Sequence, residues 1–161
     1  MNTPTVNAAE KFDRSRADEY GRQSRIALAG YDACQDLPAD QPYDAATLIG
    51  VLHHLPGDVA KQQILRAIQR RLKPGAPLVV AGNQYAYASQ PLLLAAWGQR
   101  WRQQGASADE VKAKLGKILQ GADPPHSEAA VQTLMHEAGF GDATRFFSSL
   151  FWSAWLTCKT F

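Results

Sequence analysis

Y-D-A-A-T-L-I-G-V-L-H-H-L-P-G, Tyr43 to Gly57, joins an apolar run to a polar loop. Ala45 to Leu52 has almost no polar break, the pattern of a strand covered on both faces in a parallel sheet. His53, His54, Pro56 and Gly57 form the turn that follows, and Asp58 is placed to cap a helix. Ile64, Leu65, Ile68 and Leu72 fall on one face of that helix, and Lys73-Pro74-Gly75 stops it. Pro77 to Ala81 is a second apolar run, ending in Gly82 and Asn83. Strand, helix, strand in this order reads as a right-handed crossover, whose ligands bind beyond the carboxyl ends of the strands. His53, His54, Asn83 and Gln84 then share one rim.

These segments resemble the second half of the class I S-adenosylmethionine-dependent methyltransferases. The resemblance rests on Tyr43-Asp44, Val51 to Pro56, Arg71 to Leu78 (R-L-K-P-G-A-P-L), Val79 to Gly82, and the later E-A-G-F of Glu137 to Phe140. It covers about residues 43 to 161, with a weaker match of Phe12 to Tyr31 to the lid helix that precedes the domain in some of these enzymes. The implied fold is α/β, a shortened Rossmann-like sheet of about four strands with the last two antiparallel. Residues 1–42 make an N-terminal helix and connector, and 43–161 the C-terminal half of a methyltransferase-like domain with a helical insertion at about 91–120. The implied activity is methyl transfer from S-adenosylmethionine to an unidentified small molecule.

The same comparison exposes a departure. The family carries three strands, two helices and a glycine-rich cofactor loop between lid and strand, where this chain has only the connector Cys34 to Pro42. No G-x-G-x-x-G occurs; Gly139-Phe140-Gly141 follows a helix and reads as its C-cap. A second reading is therefore a non-catalytic remnant or protein-interaction module of methyltransferase descent. The strand at residues 43–52 also loses a partner on one side, leaving an edge open to pairing. A homodimer through that edge is one expectation, cover by the N-terminal helix is another, and marginal solubility is the third.

Composition narrows the partners. At 161 residues and 45% hydrophobic, the chain can bury one core, and a formal charge of +2 leaves no electrostatic footprint for nucleic acid. Cys34 and Cys158 suggest neither a disulfide framework nor a zinc site, so a reduced cytoplasmic home is expected. Apolar runs such as Leu92 to Trp97 are too short to span a membrane, and a soluble protein is expected.

Along the rest of the chain, Ala17, Tyr20, Leu28 and Tyr31 share a face of an amphipathic helix over residues 14–33. Pro91 opens a helix with Leu93, Trp97 and Trp101 at four-residue spacing, and Ser107 to Glu110 is a capping box for the next. Ser127 caps a last helix ended by Gly139, and 144–150 and 152–160 read as a closing strand pair. Methyl transfer requires alignment and desolvation, with a general base only where the acceptor must lose a proton. His53 or His54 suits that role by intrinsic pKa, although the pair also serves simply to shape the loop. The resemblance assigns Tyr20, Arg25, Leu52 and His53 to the cofactor. Asn83, Tyr85, Tyr87 and Trp97 are candidates for the acceptor, with Trp101, Phe147 and Trp152 read chiefly as core. His126 and His136 lack the neighbours of a metal site.

Overall fold

A computed structural model describes residues 42–161. Four strands, β1 (Ala46–Ile49), β2 (Pro77–Asn83), β3 (Thr144–Ser149) and β4 (Trp152–Cys158), form one mixed sheet in the order β1-β2-β4-β3. β1 and β2 are parallel, and β4 runs antiparallel to both β2 and β3. The helices are α1 (Gly57–Arg71), the crossover between β1 and β2, then α2 (Pro91–Gln103), α3 (Ala108–Gly121) and α4 (Glu128–Glu137). Short 3-10 turns follow β1 at Leu52–His54 and β2 at Tyr87–Ser89. The α/β class, the four strands and the antiparallel closing pair stand as the sequence implied. Residues 1–41, with Tyr20, Arg25 and the amphipathic helix read at 14–33, lie outside the described residues.

Register separates the two faces of the sheet. Leu48 pairs with Val80 and Val80 with Trp155, while Leu78 pairs with Thr157, and all five side chains are buried. Thr157 Oγ1 donates to the carbonyl of Gly141 just beyond α4, so α4, and α1 which packs on it, belong to this face. Leu65, Leu134 and Met135 complete its core. Arg66 Nε donates to the Glu137 carbonyl, and Gln62 to its carboxylate, binding α1 to the end of α4.

The opposite face carries Thr47, Ile49, Val79, Leu156 and Phe147. Ile49 is 60% exposed, Phe147 48% and Leu156 42%. The expectation of a first strand covered on both faces is thus corrected: only Leu48 of β1 is buried. The strand is also shorter than the apolar run, because Gly50 takes a left-handed φ of 74° and turns the chain toward the histidines. Phe147, read as core, is likewise half in solvent.

Local signals account for the helix ends. Pro91 occupies the first turn of α2, and Ser107 and Glu110 make both reciprocal bonds of a capping box on α3. Ser127 Oγ accepts from Ala130 N–H on α4, and Gly139 leaves that helix at φ 87° with its N–H bonded to the His136 carbonyl. Asp58 does not cap α1. The helix begins two residues earlier, at Gly57 after Pro56, with no side-chain cap of its own, and Asp123 accepts from Gly57 N–H at 2.6 Å instead.

Candidate functional site

The carboxyl ends of β1 and β2 meet at a rim closed by backbone bonds. Asp123 N–H donates to the His53 carbonyl at 2.8 Å, Gln84 N–H to Phe151 at 2.9 Å, and Tyr85 N–H to Pro125 at 2.7 Å. The segment that returns from α3 is therefore sewn across the ends of β1 and β2, and Gln84 ties the end of β2 to the turn before β4. Among the described residues, this is where the sequence-selected side chains gather.

His53 is 4% exposed, and its Nδ1 accepts from Asn83 N–H at 3.3 Å. That places the ring proton on Nε2. Burial, reinforced by the neighbouring His54, pushes its pKa down to about 4, so the ring is neutral at physiological pH. His54 lies tilted against it, 4.1 Å between ring centroids, and is less buried, with a pKa lowered by burial. A base held so far below neutrality takes up a proton poorly, which favours His54 over His53 for that role. The imidazole of His53 also lies against Gly82, where a Cβ would meet Nδ1 at 3.0 Å. Gly82→Ala is expected to cost about 1–3 kcal/mol by displacing the ring, measurable as a shifted urea midpoint. An unchanged midpoint would show that the ring has room to move.

Asn83 Nδ2 donates to the Tyr87 hydroxyl at 2.8 Å. Tyr87, buried, meets Phe151 edge-on at 4.9 Å, and Trp97 packs on Phe151 and Trp101 at 5.3 Å each. Asn83, Tyr87 and Trp97 thus belong to one assembly, built where α2 lies over the end of β2. Tyr85 leaves it: at φ 73° it directs its hydroxyl to Glu128 of α4, which also pairs with Arg145. Leu52 is 5% exposed and presents little surface to a ligand.

Lys61, Asp123 and Ser153 escaped the sequence reading, which places Gln84 on the rim without foreseeing its burial. Lys61, 1% exposed, bonds Asp123 Oδ2 at 3.0 Å and the Gly57 carbonyl at 3.2 Å. The bond from Lys61, aided by Gly57 N–H, holds the Asp123 carboxyl below the usual carboxylate range against a weaker opposing effect of burial. Gln84 and Ser153 share a face at the β2–β4 junction, and neither the Gln84 amide nor Ser153 Oγ has a hydrogen-bond partner, although both residues are almost fully buried. The only sequence signal was that of Ser153, a polar residue inside an apolar run, since Gln84 stands in a polar loop. Such groups are costly unless a polar guest answers them.

The described residues do not by themselves fit S-adenosylmethionine. Gly139 and Gly141 offer no cradle, since Gly139 is the cap of α4 and a Cβ there would meet the Gln69 side chain at 3.1 Å. Cys158 is an exposed thiol, and no group of three ligating side chains forms a metal site among the described residues. His136 Nε2 meets Asp142 at 2.8 Å on the surface. No described helix is long and apolar enough to cross a membrane.

No family model matches the chain, and no curated protein matches it in sequence. Solved structures do. A possible exported protein from Bordetella parapertussis superposes with a TM-score of 0.56 at 18% identity, over 80% of this chain and 42% of that one. Human N-acetylserotonin methyltransferase in complex with SAM gives 0.52 at 20% identity, over 76% and 32%. The pyocyanin biosynthetic protein PhzM gives 0.50 at 12% identity, over 79% and 33%. The chain has a methyltransferase-like fold and spans about a third to two fifths of the length of these structures.

Proposed function

We propose that the described residues form the acceptor side of an S-adenosylmethionine-dependent methyl transfer to a small molecule. The observation that carries this reading is the rim itself: His53, His54, Asn83 and Tyr87 at the carboxyl ends of two parallel strands, with an aromatic wall of Trp97, Trp101 and Phe151 beside them. Ligands of open α/β sheets bind at such ends. In this reading the aromatic cluster supplies an apolar bed for a planar acceptor, Asn83 and Tyr87 orient it, and His54 accepts a proton where the acceptor must lose one.

A second reading, a non-catalytic interaction module of methyltransferase descent, is favoured by the exposed apolar sheet face of Ile49, Phe147 and Leu156. Calorimetric titration of the whole chain with S-adenosylmethionine and S-adenosylhomocysteine separates the two. Saturable one-to-one binding is the result expected of the enzyme reading, and would locate a cofactor grip that does not use a glycine loop. No heat of binding from a sample folded by circular dichroism would rule that reading out and leave the module.

A further inference from the structure

The outer edge of β1, which no described strand covers, is a second feature of the sheet. Gly50 N–H donates to the Ala81 carbonyl at 2.7 Å. In a parallel ladder alternate residues face the neighbour, so Leu48 shares that side while the N–H and C=O groups of Thr47 and Ile49 point away from β2. β1 ends the strand order, and no described strand pairs with this side. Natural edges are guarded by charge, proline or a bulge. Ala45 to Leu52 contains no ionised side chain and no proline.

We propose that this edge pairs with the same edge of a second copy, antiparallel, about a two-fold axis at Leu48. In that register Thr47 lies opposite Ile49 of the partner, and the two positions exchange both backbone bonds on either side of the axis. Every outward group of β1 is then used, and two Thr–Ile cross-strand pairs form on the open face. Leu48 meets its own counterpart on the buried face. Asp44, the nearest ionised residue, falls opposite Leu52 of the partner subunit, not opposite a like charge, and is already paired with Lys73 at 2.5 Å.

Two features select a second copy over an unrelated strand. Positions 47 and 49 are symmetric about 48, so a two-fold ladder closes with nothing left over. Gly50, at φ 74°, ends the extended run on its carboxyl side, so a longer peptide would gain no further bonds there. The product is an eight-stranded sheet with its two open apolar faces contiguous. A four-residue seam is small by the standard of stable interfaces, and the dimer is accordingly weak and concentration-dependent.

Sedimentation equilibrium of the full chain tests this. Thr47 and Ile49 are both exposed in the single chain, so Thr47→Glu and Ile49→Lys retain the fold, as urea unfolding would verify. Each is expected to weaken self-association at least about tenfold by placing an unmatched charge in the seam. The double variant sets Glu at 47 against Lys at 49 of the partner, and is expected to recover most of that loss. A chain that stays monomeric at all concentrations, a dimer indifferent to both single changes, or a double variant no better than the singles would overturn the proposal. This outcome is independent of cofactor titration, because the seam lies outside the rim.

Discussion

Asp123→Ala is expected to destabilise the domain by about 2–3 kcal/mol, more than any other surface-accessible change at the rim. One carboxylate oxygen holds two things at once: Gly57 N–H, at the start of a helix without its own cap, and Nζ of Lys61, whose side chain is 1% exposed. Removing it leaves the Lys61 amine buried with only the Gly57 carbonyl at 3.2 Å, and strips an anion from the positive end of the α1 dipole. Breaking a fully buried pair typically costs about 3–5 kcal/mol. Asp123 itself is 41% exposed, so water screens part of the interaction and the lower figure applies. Lys61→Met removes the buried amine along with its need for a partner, and is expected to cost about 1 kcal/mol. Urea unfolding of the two variants decides: equal losses would mean that Asp123 acts through Gly57 alone, and a larger loss for Lys61→Met would contradict the pairing altogether.

This pair also marks where the sequence was legible and where it was not. Lys61 stands three and four positions before Ile64 and Leu65, on the stripe that identified α1, but a lysine at the edge of an apolar face reads as solvated, and its burial was not legible. Nor was its partner, because Asp123 lies 62 residues away beyond two helices and reaches the rim only through the return of the chain to β1. The capping box at Ser107, the serine cap of α4, the proline start of α2 and the glycine stop of α4 are contacts within one turn, and local chemistry named them. Asp58 failed for the opposite reason: a distant carboxylate took the cap position that a local one was expected to hold. The both-faces reading of β1 failed because periodicity reports what a strand is able to bury, whereas the neighbours decide what it does bury. At the rim, spacing placed Asn83 and Tyr87 near His53, but the left-handed turn at Tyr85 that sends its hydroxyl to Glu128 had no sequence signature, tyrosine being an uncommon residue there.

Between pH 6.5 and 4 the folded domain is expected to lose about 3 kcal/mol of stability through His53 alone. The ring has an ordinary pKa of 6.5 when the chain is unfolded and about 4 when folded, chiefly through burial and secondarily through His54. Across that window the unfolded chain binds the proton and the folded one does not, so acidification favours unfolding, and the loss is complete once the pH falls below the folded value. His54, also lowered by burial, acts in the same direction. Asp123 acts in a separate window: its pKa is depressed from 3.8, so its contribution persists throughout this range and fades only at lower pH. His53→Asn keeps an acceptor near Asn83 N–H but cannot titrate. Its urea midpoint is expected to start lower at pH 7, for want of the ring, and then to fall much less steeply to pH 4 than that of the parent chain. Parallel slopes in the two proteins would show that His53 takes up its proton without strain, and would remove the reason for assigning proton acceptance at the rim to His54. A flattened slope would leave His53 as a neutral ring whose Nδ1 is occupied by Asn83 and whose Nε2 carries the proton, able to donate to an acceptor at the rim but not to deprotonate it.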